Sequence, residues 1–212
     1  MEQRMQKVYS RSGSVVLKVA RGHFATNHSH INYYIDITAL KTRLSDAQAV
    51  ARELAQHYMT STIVDTIICL DGTQVIGACL ARELTQNGFT SMNAHRSIYV
   101  IRPEYNSNSQ LLFRDNLQPM IRGKHVLILM ASVATGKTIN KSVECVQYYG
   151  GIVQGVAAVY STMDQIDGVA IHSVFSPQDL PDYASYDFKD CPYCKQGQRL
   201  DALVNSFGYS KL

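Results

Sequence analysis

Apolar residues along this chain fall into two alternating rhythms. Ile63 to Leu70, His125 to Met130, Val153 to Tyr160 and Val169 to Phe175 are nearly continuous apolar runs, the pattern of strands covered on both faces in a parallel sheet. Elsewhere apolar residues recur at helical spacing: Ala47, Val50, Ala51, Leu54 and Tyr58 behind a Ser45-Asp46 start, the stretch Gln74 to Thr85, and Ile139, Val143, Val146 and Tyr149 within Lys137 to Tyr149. Val15 to Ala20 adds an early strand, Cys69 and Cys79 fall on core positions, and Tyr148-Tyr149 before Gly150-Gly151 reads as a helix end. The alternation predicts an α/β fold, a parallel sheet flanked by helices, in one domain: an N-terminal segment over 1–44, a core over 45–176 and a tail over 177–212.

The most telling stretch is V-L-I-L-M-A-S-V-A-T-G-K-T, Val126 to Thr138, where an apolar strand empties through a short loop into a helix. A helix opening presents unpaired N–H groups and the positive end of its dipole, and Gly136 lets the backbone approach an anion closely. Thr135, Gly136, Lys137 and Thr138 are therefore candidate phosphate ligands. Ala131 to Thr138 also meets the looser form of a Walker loop, which would make the chain a nucleotide hydrolase. Against that reading, alanine replaces the first glycine, and no later strand ends in an acid suited to magnesium.

Three further segments occur in the order of the type I phosphoribosyltransferases, and the chain most resembles the orotate enzymes among them. Phe24 to Asp36, F-A-T-N-H-S-H-I-N-Y-Y-I-D, resembles the hood that covers the pyrimidine. Ile67 to Ala81, I-I-C-L-D-G-T-Q-V-I-G-A-C-L-A, is similar to the first strand, diphosphate loop and following helix, and Tyr99 to Arg102, Y-V-I-R, to the strand before a mobile catalytic loop, here Pro103 to Gln110. The resemblance implies that Asp71, Gly72 and Thr73 shape the diphosphate side and that Arg102 offsets leaving-group charge. It also implies Tyr33 and Tyr34 at the base pocket, beneath His23, His28 and His30, and magnesium carried with the diphosphate substrate. A homodimer is the expected assembly, and a phosphorylated sugar or nucleotide the expected ligand. Asp36 reads as a turn or capping group.

The chain departs from the family pattern where substrate charge is handled. Met130 and Ala131 stand at the two acidic positions, Pro103 replaces a lysine after Ile101-Arg102, and Asn27 with His28-Ser29 stands where the hood usually has a lysine before Ser-Gly. One well-placed electrostatic group is typically worth about a hundredfold in rate. Two readings follow: a divergent transferase, or a non-catalytic binding protein on the same fold.

With 212 residues, 46% of them hydrophobic, the chain can bury a sizeable core, and a net charge of +3 without a basic stripe argues against nucleic acid. Met1 to Ala20 has no apolar stretch fit for a signal peptide, no segment approaches a membrane span, and five cysteines without such a signal fit the cytoplasm. The tail carries Cys191-Pro192-Tyr193-Cys194. Two thiolates in a proline-led turn can bite one zinc, which needs four ligands; His172, Cys145 or the same pair from a second subunit would complete the set. A redox pair and ordinary reduced thiols are the alternatives.

Overall fold

The computed structural model describes residues 2–86, 91–94, 96–107 and 110–212. The chain opens with strands β1 (Met5–Tyr9), β2 (Val16–Ala25) and β3 (His30–Asp36), then helices α1 (Thr38–Thr42) and α2 (Leu44–Ala55). Strand β4 (Thr66–Cys69), helix α3 (Gln74–Gln86), strand β5 (Tyr99–Ile101) and the hairpin β6 (Glu104–Tyr105) and β7 (Leu111–Leu112) follow. Then come β8 (His125–Val133), α4 (Lys137–Tyr148), β9 (Ile152–Ser161), β10 (Gln165–Ile166) and β11 (Val169–Phe175). The tail adds β12 (Ser185–Tyr186), α5 (Pro192–Lys195), β13 (Ala202–Asn205) and β14 (Gly208–Lys211).

Among the described residues these strands form two large sheets. The core sheet has the order β10-β11-β9-β8-β4-β5 and is parallel except for β10. Strand β8, at its centre, explains the continuous apolar run: Leu127, Leu129 and Ala131 face the side packed by α2 and α3, while Val126, Ile128 and Met130 face α4. The second sheet, order β12-β3-β2-β13-β14 with β1 also on β2, joins the N-terminal segment to the tail: β13 runs parallel to β2, with Ala202 opposite Phe24 and Leu203 opposite Ala25. Val15, Leu17 and Val19 share one core with α2 and α3, so this hood sheet is continuous with the body of the molecule.

The expected strand Val169 to Phe175 coincides with β11, and the expected helix over 74–85 with α3. Three differences have physical causes. Tyr58 lies beyond the end of α2 at Ala55, where its buried hydroxyl donates to the Val156 carbonyl at 2.9 Å. The segment expected to be a mobile loop, Pro103 to Gln110, contains β6; Arg114 pins the hairpin by donating from Nε and Nη2 to Glu104 at 2.9 and 2.8 Å. Asn108 and Ser109 lie outside the described residues. Finally, residues 131–133 are strand, with Ser132 opposite Tyr160 and Val133 opposite Ser161. Extended, paired backbone cannot also wrap a triphosphate, which removes the Walker-loop reading.

Helix α3 packs on the sheet through Gly77, where a Cβ would stand 2.4 Å from Cys69 Sγ and 3.1 Å from Val100 Cγ1. Gly77→Ala is expected to lower unfolding free energy by about 1–3 kcal/mol, and adding Cys69→Ala should restore part of it. Urea denaturation measures both; a loss under about 0.5 kcal/mol would show that α3 does not need this close approach.

Candidate functional site

The carboxyl ends of the parallel strands meet the underside of the hood sheet at a cleft of about 310 Å³, the position where open parallel sheets bind ligands. Its floor is the end of β8 and the loop Ala134 to Gly136; Asp71 closes one side, Thr26 to Ser29 and Tyr34 the roof, and Asn205, Ser206 and Gly208 of the tail a third wall.

Gly136 adopts φ +70° as the N-cap of α4, and no side chain caps that helix. The first-turn N–H groups are thus open to an anion beside Thr135 and Thr138, which both line the cleft. The positive φ favours glycine at 136, and a Cβ there would also lie 2.3 Å from Ile166 Cδ1, so that side chain would have to move. Lys137 is exposed at the first helical position, outside the cleft lining.

After β4 the backbone turns through two successive positive φ values, Asp71 at 55° and Gly72 at 77°. Asp71 lines the cleft, Gly72 is exposed, and Thr73 is buried, its hydroxyl donating to the carbonyls of Leu70 at 2.8 Å and Leu129 at 3.2 Å. Arg102 is exposed just past β5 and joins Arg114, the stronger influence, in holding the Glu104 carboxyl below its usual range. Tyr34 and Tyr33 divide by strand alternation: Tyr34 faces the cleft, its phenol pushed up to about 12 by burial, whereas Tyr33 joins the core with the Arg21 guanidinium 5.3 Å from its ring centre. Met130 and Ala131 are both buried, one on each face of the sheet.

Two site residues carry little sequence signal. Lys41 on α1 is buried, and its ammonium donates to the Asp71 carbonyl at 2.7 Å and the Ser206 carbonyl at 2.5 Å, tying hood, diphosphate-side loop and tail together. Burial lowers its pKa, against the attraction of Asp71 and Asp36. Tyr160 is buried at the cleft with its ring edge-on to Tyr183, and its hydroxyl has no hydrogen-bond partner among the described residues. A buried hydroxyl without a partner is costly, and a ligand offering an acceptor removes that cost.

The histidines divide as well. His28 lines the cleft, whereas His23 and His30 turn away from it to face Cys191 and Cys194. The residues expected to complete a zinc set stand elsewhere: His172 stacks on His57 with centroids 4.4 Å apart, and the Cys145 thiol lies 3.5 Å from the Leu111 carbonyl.

A parallel sheet of this kind, with a hood over its strand ends and a Thr-Gly-Lys-Thr loop opening a helix beneath it, is the fold of the type I phosphoribosyltransferases. Orotate phosphoribosyltransferase from Aeropyrum pernix superposes with a TM-score of 0.53 at 17% identity, covering 77% of this chain and 90% of that one. The Mycobacterium tuberculosis H37Rv orotate phosphoribosyltransferase, solved in complex with 5-phospho-α-D-ribosyl 1-diphosphate, superposes with a TM-score of 0.51 at 17% identity over 69% of this chain and 82% of that one. In sequence, too, the chain is similar to orotate phosphoribosyltransferases: that of Caldanaerobacter subterraneus subsp. tengcongensis is 27% identical over 183 residues, 84% of this chain and 86% of the relative. No family model matches the chain.

Asp71 offers a test of the cleft's electrostatics. Burial holds its carboxyl above the ordinary 3.8, against the pull of Lys41 and of hydrogen bonds from the Ala131 N–H and the Ser206 hydroxyl. With the folded pKa raised, the protonated acid favours the folded state, and this contribution is lost as pH climbs from the unfolded value through the folded one. Asp71→Asn removes the titration and suits a left-handed residue. The stability of the variant minus that of wild type should therefore rise with pH from roughly 4 and level off above the folded pKa, as read by urea titrations between about pH 4 and 7. A difference independent of pH would contradict the desolvation of this carboxyl at the cleft.

Proposed function

We propose that this protein is an orotate-phosphoribosyltransferase-like protein that binds phosphoribosyl diphosphate or a nucleoside 5′-monophosphate in the cleft between hood and core sheet. The observation that carries the reading is the convergence on one cavity of the uncapped opening of α4, with Thr135, Gly136 and Thr138, the hood residue Tyr34, and the unpartnered hydroxyl of Tyr160 on β9 of the core sheet. In this reading the 5′-phosphate sits on the α4 N–H groups and the two threonine hydroxyls. Lys137 adds long-range positive charge from the helix start, and the base lies towards Tyr34 and Tyr160. Asp71, the one carboxylate among the described lining residues, faces the sugar and diphosphate region. Arg102 and the Gly72 turn flank the diphosphate side.

Among the described residues lining the cleft, magnesium has no protein-built site. The two positions that would carry acids are the buried Met130 and Ala131, and a single carboxylate does not make a cage for that ion. Magnesium belongs to this reading only as the companion of the substrate's diphosphate. A homodimer belongs to it as well. Among the described residues no helix is long and apolar enough to cross a membrane.

A second reading, a non-catalytic phosphoribosyl or nucleotide sensor, is favoured by one observation: no Lys or Arg side chain lines the cleft among the described residues, leaving developing diphosphate charge without a direct partner there. Calorimetric titration with phosphoribosyl diphosphate and magnesium, and with orotidine monophosphate, followed by a diphosphate-release assay with orotate and other bases, separates the two. Binding with release identifies a transferase, and binding without release across the bases identifies the sensor. Absence of binding to either ligand would overturn both. Tyr160→Phe should weaken orotidine monophosphate binding about five- to tenfold, while folding stability stays within about 0.5 kcal/mol of wild type or rises. Unchanged affinity would place the base elsewhere.

A further inference from the structure

Four side chains from opposite ends of the chain meet at the hood sheet, outside the cleft lining: His23 on β2, His30 on β3, and Cys191 and Cys194 at the one-turn helix α5. One ligating atom from each lies within 4.8 Å of all the others. His23 Nε2 is 3.1 Å from His30 Nδ1, 3.4 Å from Cys191 Sγ and 3.7 Å from Cys194 Sγ, and Cys194 Sγ is 3.3 Å from His30 Nδ1. A tetrahedral zinc with Zn–N of about 2.0–2.1 Å and Zn–S of about 2.3 Å sets its ligand atoms about 3.3 Å apart for two nitrogens and about 3.6 Å apart for nitrogen and sulfur. The four distances match those edges.

Hydrogen bonding among the four groups explains the arrangement less well. His23 Nδ1 lies 3.0 Å from the Gln198 carbonyl, which can only accept, so the ring proton sits on Nδ1 and Nε2 carries a lone pair. Three groups converge on that single lone pair, which can serve only one of them well. A cation accepts a lone pair from all four, and the Gln198 contact is the outer-shell bond that fixes a metal-binding histidine. His23, His30 and Cys191 are buried while Cys194 is exposed, giving an entry side. Tyr193 stacks on His23 at 5.2 Å and Phe188 meets His30 edge-on at 5.0 Å, walling the group with aromatic rings.

We infer that His23, His30, Cys191 and Cys194 form a structural Cys2His2 zinc site that fastens the C-terminal tail to the hood. The backbone around it is built for that attachment. The β2–β3 register shifts between Arg21 and Phe24, the irregularity that carries His23. At Gly22 a Cβ would stand 2.5 Å from Asp201 Oδ2 and 2.7 Å from Phe24 Cζ, so a larger residue there would have to displace the Asp201 carboxylate or the Phe24 ring. Asp201 accepts from the His23 N–H at 2.9 Å and returns its own N–H to the His23 carbonyl at 2.7 Å. Immediately afterwards β13 joins β2, and the chain delivers Asn205 and Ser206 to the cleft wall. The ion's role is to hold that wall in place.

The test is elemental analysis of the full chain expressed in zinc-supplemented medium, alongside Cys194→Ser, at the exposed ligand, and His30→Ala. Wild type should carry about one zinc per chain, and each variant should hold it at least about tenfold more weakly against a chelator. Cobalt exchanged into wild type should show tetrahedral ligand-field bands and a thiolate-to-cobalt charge-transfer band, weakened in Cys194→Ser. Chelation should speed amide exchange across residues 202–205. Wild type free of zinc, zinc retained unchanged in both variants, or a Cys191–Cys194 disulfide in the purified protein would each overturn the inference.

Discussion

One buried ammonium holds the three walls of the cleft together. Lys41 leaves α1 and reaches two backbone carbonyls, that of Asp71 after β4 and that of Ser206 in the tail, segments separated from it by 30 and 165 positions. Neither partner is a carboxylate, so the charge is solvated by dipoles in place of water, and truncating Lys41 would strand both carbonyls. The ring of Phe207 lies 5.7 Å from the same ammonium, within cation–π range. The turn at Asp71 and Gly72, with both φ values positive, presents the Asp71 carbonyl to the lysine while the Asp71 side chain lines the cleft.

From that frame the cleft acquires two unlike ends. At one, backbone N–H groups and threonine hydroxyls offer donors to a phosphate without any buried cation, so affinity there depends on helix geometry more than on net charge. At the other, tyrosines and apolar residues form a wall suited to a flat heterocycle. Between them the floor that would carry two acids is packed into the core as Met130 and Ala131. On the proposed reading, binding and chemistry rest on different parts of the site: backbone N–H groups at the start of α4 would grip the phosphate, while Asp71 alone would face a cationic sugar.

The legible parts of this molecule are those where burial leaves a periodic trace. Strand β8 and helix α4 announce themselves because β8 is covered on both faces and α4 on one, so the loop between them, the heart of the site, was visible in the sequence. The hood sheet was half hidden. Its strands β1, β12, β13 and β14 run two to five residues with mixed exposure, too short for a period, and β13 pairs with a strand some 180 positions earlier. Lys41 gave no signal, since an isolated lysine in a five-residue helix looks like any exposed lysine until tertiary structure buries it. The Cys191 and Cys194 pair was recognisable as half of a metal site. His23 and His30 lie close together in sequence, but nothing local says that a bulge turns His23 towards a tail 168 residues away.

We read the β8–α4 loop as a phosphate seat beneath the hood. Backbone amide shifts followed by NMR while ribose 5-phosphate is titrated into the full chain would show it. The largest shifts are expected at Thr135 to Ile139, with smaller ones at Asp71 and Ser206. Shifts confined to other surfaces, with these amides unmoved at saturating ligand, would contradict it.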